Sequence, residues 1–160
     1  MSAKPAILFV CLGNICRSPL AEAACRAEAA RIGLDIEIDS AGIGGWHAGE
    51  PPDPRARATA RRYGIDISRY RARQVSVEDF GRYTHIVALD RENRTALEAM
   101  RPGGSLAKLS LLLDHVPGRE GGAVADPYWG DATHFEITWA DVTAGARGLL
   151  RRIGDTPRIK

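Results

Sequence analysis

Cysteine is scarce in this chain: three thiols in 160 residues, at Cys11, Cys16 and Cys25. So few, with no export signal ahead of them, fit a reducing compartment. Metal ligands are equally thin. The four histidines are scattered, no ligand pair has the spacing of a zinc site, and neither a metal nor an organic cofactor is expected. An excess of charge is also missing. The 22 basic and 20 acidic residues are interspersed and leave a net charge of +2, so no nucleic-acid partner is expected. A mild basic cluster at Arg69, Arg71 and Arg73 reads as a solvated face. No apolar run approaches membrane-spanning length. The opening Met-Ser-Ala-Lys-Pro runs straight into an apolar segment, so a signal peptide is not expected and a cytoplasmic location is. Repeats, low-complexity tracts and linkers are lacking as well. With 44% hydrophobic and 26% charged residues, the chain reads as a single domain over 1–160, large enough for a real core, as a monomer or weak dimer.

What the chain does have stands near its start: Cys11-Leu12-Gly13-Asn14-Ile15-Cys16-Arg17-Ser18. The apolar run Ile7–Val10 leads in and the helix-forming run from Pro19 leads out, so the segment reads as strand, tight loop, helix. A helix N-terminus offers unpaired N–H groups and a partial positive charge, an environment for an anion and for a cysteine thiolate. Gly13 is read as allowing φ > 0, and Asn14 as the non-glycine residue that best tolerates it. Arg17 offers a two-pronged grip on phosphate oxygens. Ser18 suits the N-cap before Pro19, or can turn its hydroxyl toward the Cys11 sulfur. Taken alone, such a loop serves a phosphatase, a reductase or a phosphate carrier.

Farther along, short apolar runs at Ile36–Asp39, His85–Leu89 and Ala107–Leu112 alternate with helical patterns at Pro19–Arg31, Ala56–Tyr63, Val77–Tyr83 and Glu92–Met100. The first of these helices should end near Gly33. A last helix is marked by apolar residues from Phe135 to Ile153 and by Thr133-x-x-Glu136, which reads as a capping box. The alternation predicts an α/β fold with a mainly parallel sheet and helices on both faces. Ligands of such sheets bind beyond the carboxyl ends of the strands, where Ser40–Pro54, Asp90–Arg94 and Asp114–Gly130 should join the Cys11 loop.

Residues 11–18 resemble the phosphate-binding loop of the low-molecular-weight protein tyrosine phosphatases. The similarity continues at Asp39–Gly42, Gly49–Ala56, Ala72–Val75, Glu78–Phe80 and Asp126-Pro127-Tyr128-Trp129-Gly130, in the family's order and over nearly the whole chain. It implies a flavodoxin-like, four-stranded parallel sheet in the order 2-1-3-4. It also implies phosphotyrosine proteins as substrates, a phosphate or similar oxyanion in the site, Cys11 as nucleophile, Arg17 as phosphate clamp and Asp126 as general acid, then base. An acid opposite the nucleophile is needed to protonate the leaving oxygen, and Pro127 restrains Asp126 toward an extended backbone.

Leu12, Gly13, Asn14, Ile15, Cys16 and Ser18 complete the expected anion site, with Trp46, Tyr128 and Trp129 as walls for a phenyl ring. Ser40 and Asp90 are expected in supporting structural or electrostatic roles, Asp90 being the competing acid. Cys16 is a candidate redox partner of Cys11. By resemblance, Ile15 stands where relatives acting on phosphoarginine tend to carry threonine, and so favours tyrosine. The chain departs from the family pattern at Tyr70, where several members have histidine, and at Trp129, which replaces a second tyrosine. His47 falls at a variable, specificity-related position. An arsenate reductase of the same fold would need relay cysteines after Cys25, and a cysteine phosphocarrier or phosphate-binding module would need neither Arg17 nor Asp126.

Overall fold

Ile7 and Phe9 on one side, and Leu8 and Val10 on the other, are all fully buried. A strand alternates its side chains between two faces, so this one must be covered on both. In the computed structural model, which describes residues 4–155, it is β1 (Ala6–Cys11), a central strand of a parallel sheet ordered β2-β1-β3-β4. The other strands are β2 (Glu37–Gly42), β3 (His85–Ala88) and β4 (Lys108–Leu111). The helices are α1 (Arg17–Ile32), α2 (Pro54–Arg62), α3 (Asp79–Arg82), α4 (Arg91–Met100) and α5 (Ala132–Asp155), with a 3-10 turn at Leu112–His115.

The alternation sorts the core into two. Ile7, Phe9 and Cys11 join Val87, Leu20, Phe135 and Leu149 on the side of α1 and α5. Ala6, Leu8 and Val10 join Ile86, Ala88, Phe80 and Leu97 on the side of α3 and α4. The expected fold and strand order are observed.

Several helix ends differ from their sequence reading. α1 begins at Arg17, two residues before the expected Pro19, and neither Ser18 nor any other side chain caps it. Its far end is as expected: Gly33 adopts φ 69° and returns its N–H to the last carbonyls. The Thr133–Glu136 capping box does not form. Asp131 takes the cap, its carboxylate accepting from the N–H groups of Thr133 (3.0 Å) and His134 (3.4 Å). Glu136 instead accepts from Arg62 and Tyr63 of the α2 region.

α5 lies so close to the 3-10 turn that a Cβ on Gly148 would stand 1.9 Å from the His115 carbonyl oxygen. Backbone cannot yield as a flexible side chain does. Gly148→Ala should therefore lower stability by about 1–3 kcal/mol, even though alanine is the better helix former by roughly 1 kcal/mol. The check is the urea midpoint at unchanged m-value.

Candidate active site

β1 ends at Cys11 and α1 starts at Arg17, so the intervening loop curls around the N-terminus of α1. One residue takes the left-handed backbone conformation, Asn14 at φ 59°, whereas Gly13 does not. The freedom expected of Gly13 is thus unused. Its role is steric, because a Cβ there would come within 3.2 Å of the His47 ring. Gly42 plays a similar part at the end of β2, where a Cβ would stand 3.0 Å from backbone atoms of Leu12 and Gly13.

Asn14 is buried and holds the loop in its strained turn from several directions. Its side-chain oxygen accepts from the Arg73 N–H at 3.0 Å. Its amide nitrogen donates to Ser18 Oγ at 2.8 Å and to Ser40 Oγ at 3.0 Å. Ser40 in turn donates to the buried Glu22 carboxylate at 2.7 Å. Ser18 Oγ, already accepting from Asn14, has its own hydrogen to give. The Cys11 sulfur lies 3.0 Å away, closer than the Ala41 carbonyl at 3.5 Å. The Asn14 N–H also points at the sulfur, at 3.3 Å. The Ser18 hydroxyl and the Asn14 N–H thus both meet the one sulfur. Ser18 thus takes the second of the two roles open to it in the sequence.

Arg17 is buried, with its side chain only 4% exposed. Nη1 donates to Asp90 Oδ2 at 2.8 Å and to the Val124 carbonyl at 2.9 Å. Nη2 lies 3.8 Å from Asp126 Oδ2. Burial opposes its charge, and the nearby Cys11, Asp90 and Asp126 more than offset this. Asp90 is fully engaged: it also caps α4 by accepting from the Asn93 N–H at 2.7 Å.

Cys11, Arg17 and Asp126 line one cavity of about 270 Å³, together with Leu12, Gly13, Ile15 and Cys16. Trp46, His47, Tyr128 and Trp129 line it too, so the loops after the strands meet here. Trp46 is 70% and Trp129 90% exposed, and Tyr128 meets Trp129 edge-on at 4.9 Å. Neither tryptophan is core, whereas Trp139 is, stacked on Tyr63 at 4.9 Å. Asn14, Ser18, Ser40 and Asp90 do not line this cavity; they hold the loop and Arg17 through the bonds given above.

Two further residues belong to the site: His47, read in the sequence only as a specificity-related position, and Arg55, not singled out there. His47 lines the cavity beside Gly13. Arg55, held by Asp53 at 2.9 Å, donates to the Gly130 carbonyl at 3.1 Å and lies over the Tyr128 ring. Arg55 had a signal, since it falls within a matching block (Gly49–Ala56), but its partners lie some 75 residues away.

Arg73 is half-buried and ion-paired, not a merely solvated charge. Its guanidinium bonds Asp79 at 3.0 Å and Asp39 at 3.3 Å, and its backbone N–H anchors Asn14. All three cysteines are free. Burial first, and then the Asp53 carboxylate, pushes the Cys16 thiol well above its ordinary value, and burial pushes Cys25 up to about 12. Among the described residues no group of three or more His, Cys, Asp or Glu is arranged to hold a metal ion, and no helix is long and apolar enough to cross a membrane.

The sequence model of a family described as low molecular weight phosphotyrosine protein phosphatase matches residues 6–158. Among similar proteins, the low molecular weight protein-tyrosine-phosphatase YfkJ of Bacillus subtilis is 43% identical over 149 residues, covering 92% of this chain and 94% of that one. Its crystal structure superposes with a TM-score of 0.90, at 40% identity, over 98% of this chain and 99% of its own. A low molecular weight phosphotyrosine protein phosphatase of Schizosaccharomyces pombe is 36% identical, covering 96% of this chain and 99% of its own. A Drosophila arginine phosphatase shares the fold, with a TM-score of 0.88 at 28% identity over 94% of this chain and 99% of its own.

Proposed function

Because the chain belongs to the low molecular weight phosphotyrosine protein phosphatase family, we propose that it hydrolyses phosphotyrosine in proteins through a phosphocysteine intermediate at Cys11. The observation that carries this reading is the convergence of Cys11, Arg17 and Asp126 on one cavity with an aromatic rim.

Catalysis then runs in two displacements. The Cys11 sulfur attacks phosphorus, an S–P bond forms, and the bond to the phenolic oxygen breaks. Asp126 gives its proton to that oxygen as it leaves. Water next attacks phosphorus from the side the phenol has vacated and yields its proton to the Asp126 carboxylate. The S–P bond breaks, and phosphate and thiolate are released. Arg17 and the loop N–H groups around the start of α1 neutralise the equatorial oxygens, so the scheme calls on no metal. Asp90 and the Val124 carbonyl hold one prong of Arg17 and leave the guanidinium oriented toward the cavity. Cys11 is only 3% exposed, below a rim of Trp46, Tyr128 and Trp129. A long phosphotyrosine reaches the sulfur from there, and a shorter phosphoserine is held away. Ile15, an apolar wall of the same cavity, favours a phenyl ring over a guanidinium.

The test is turnover of phosphopeptides under reducing conditions, with phosphotyrosine, phosphoserine and phosphoarginine in one sequence context. Turnover of phosphotyrosine ahead of the others is expected. Absence of turnover of all three would overturn the reading, and preference for phosphoarginine would overturn the substrate.

The Ser18 hydroxyl also supports the sulfur as leaving group in the second displacement. Hydrogen bonds to charged groups contribute about 1.5–3 kcal/mol, so Ser18→Ala should reduce kcat on the order of tenfold or more. KM should change little. Steady-state kinetics checks both.

A further inference from the structure

A groove of about 540 Å³ adjoins the catalytic cavity. Leu12, Arg17 and Asp126 line both, so the two spaces share a wall. Leu12 is 47% exposed, which leaves that wall open to solvent, and an extended peptide can cross it. Ile43 after β2 and Ala123 in the loop after β4 add apolar surface. α4 contributes Glu92, Asn93 and Ala96 from its first turns. Residues three and four apart on a helix share a face, so Glu92 and Asn93 stand one turn before Ala96.

Two arginines and three carboxylates face this groove, and four of the five are committed. Arg17 and Asp90 bond each other at 2.8 Å, and Asp90 also accepts from the Asn93 N–H. Arg91 Nε donates to the Gly121 carbonyl at 2.9 Å. Asp126 accepts from the Tyr128 N–H and lies 3.8 Å from Arg17. When an ester is bound next door, Arg17 faces the phosphate and Asp126 the leaving oxygen. Glu92 remains. It is exposed and, among the described residues, has neither an ion-pair nor a hydrogen-bond partner. The next residue, Asn93, is only 3% exposed, and its Oδ1 has no donor. A buried acceptor left without a donor is costly.

We infer that the groove takes the side chain of a basic residue flanking the phosphotyrosine in the substrate. This preference rests on the phosphotyrosine activity proposed above. A lysine or arginine lays its aliphatic stem along Leu12, Ile43, Ala96 and Ala123 and brings its charged head to Glu92. An acidic residue would meet Glu92 and Asp126 with like charge. A wholly apolar one would take water from Glu92 and give nothing back.

The test uses alanine-based phosphotyrosine peptides with a single lysine placed in turn one or two residues before or after the phosphotyrosine. Norleucine and glutamate are then put at the position that responds. At one position at least, lysine should raise kcat/KM over alanine on the order of fivefold. The gain should come through KM, with norleucine between lysine and alanine and glutamate below alanine. Glu92→Lys should abolish the preference for lysine and favour glutamate instead. p-Nitrophenyl phosphate has no flanking residue, and Glu92→Lys should turn it over within about twofold of the parent. Ala96→Leu narrows the groove without changing charge, and should bring the lysine peptide toward the alanine peptide. Turnover indifferent to the flanking residue, norleucine as good as lysine, or a lysine preference that survives Glu92→Lys would each overturn the basic-residue groove and leave the phosphatase reading intact. No turnover of any peptide or of p-nitrophenyl phosphate would overturn the phosphatase reading, and the groove's role with it.

Discussion

Cys11→Ser should cut turnover of phosphotyrosine and p-nitrophenyl phosphate by about 10⁴-fold or more, while the chain stays folded. Stability should survive because the smaller oxygen still meets the same two hydrogens, from the Asn14 N–H and the Ser18 hydroxyl. Activity should not, because an alcohol at neutral pH needs a base to become a nucleophile. The neighbours of Cys11 are donors: the Asn14 N–H, the Ser18 hydroxyl and the Arg17 guanidinium. A surrounding made of donors has no means to deprotonate serine.

The contrast with Cys16 makes this specific. Cys16 lines the same cavity, but burial and then Asp53 keep its thiol protonated. Cys16→Ser should therefore keep activity within a few-fold of the parent. Thermal melts and phosphate affinity of Cys11→Ser should match the parent, and its kinetics should be blank. A fully active Cys11→Ser, or a Cys16→Ser as dead as it, would place the nucleophile elsewhere.

The loop from Cys11 to Arg17 was legible in the sequence because its determinants are local. A buried strand, a left-handed Asn14 and a helix start follow one another within eight residues, and each has its own residue chemistry. The helix stop at Gly33 is local in the same way. Ser18 stands between two roles in the sequence, a cap or a partner of the sulfur, and the structure sets its hydroxyl against the sulfur seven residues back. Misreadings arose where a distant group competes for a local one. Glu136 completes a capping box on paper, yet Arg62 and Tyr63 claim it across more than 70 residues. Arg73 sits in a run of arginines, yet Asp39 and Asp79 draw it inward, to where its backbone steadies Asn14. Gly13 carries the mark of a turn, but what needs it is His47, brought close by the loop after β2. The sheet order came through resemblance alone, since periodicity says that strands are parallel but not which are neighbours.

Asp126→Ala should slow turnover of phenyl phosphate by about 10²–10⁴-fold, and of p-nitrophenyl phosphate by much less in its first displacement. The difference lies in the leaving group. Phenolate is a strong base and needs a proton as it departs, whereas p-nitrophenolate is already stable as an anion. Three carboxylates stand near enough to compete for this role, and their bonds separate them. Asp90 is committed to Arg17 at 2.8 Å and to the Asn93 N–H at 2.7 Å. Asp53 is tied to Arg55 and caps α2. Burial works against its charge and these bonds outweigh it, so its carboxyl sits below the ordinary value. Protonating either would break an ion pair that positions the site. Asp126 gives one oxygen to the Tyr128 N–H at 3.1 Å, and its other oxygen is 3.8 Å from Arg17, beyond hydrogen-bond reach. With a side chain 42% exposed at the wall of the catalytic cavity, it can take a proton from water and pass it to a bound ester. Presteady-state release of phenol from the two substrates reads the first displacement alone. If Asp126→Ala releases phenol as fast as the parent, the acid is another group. If it slows both substrates equally, Asp126 serves to place Arg17 or the aromatic rim, and not to donate a proton.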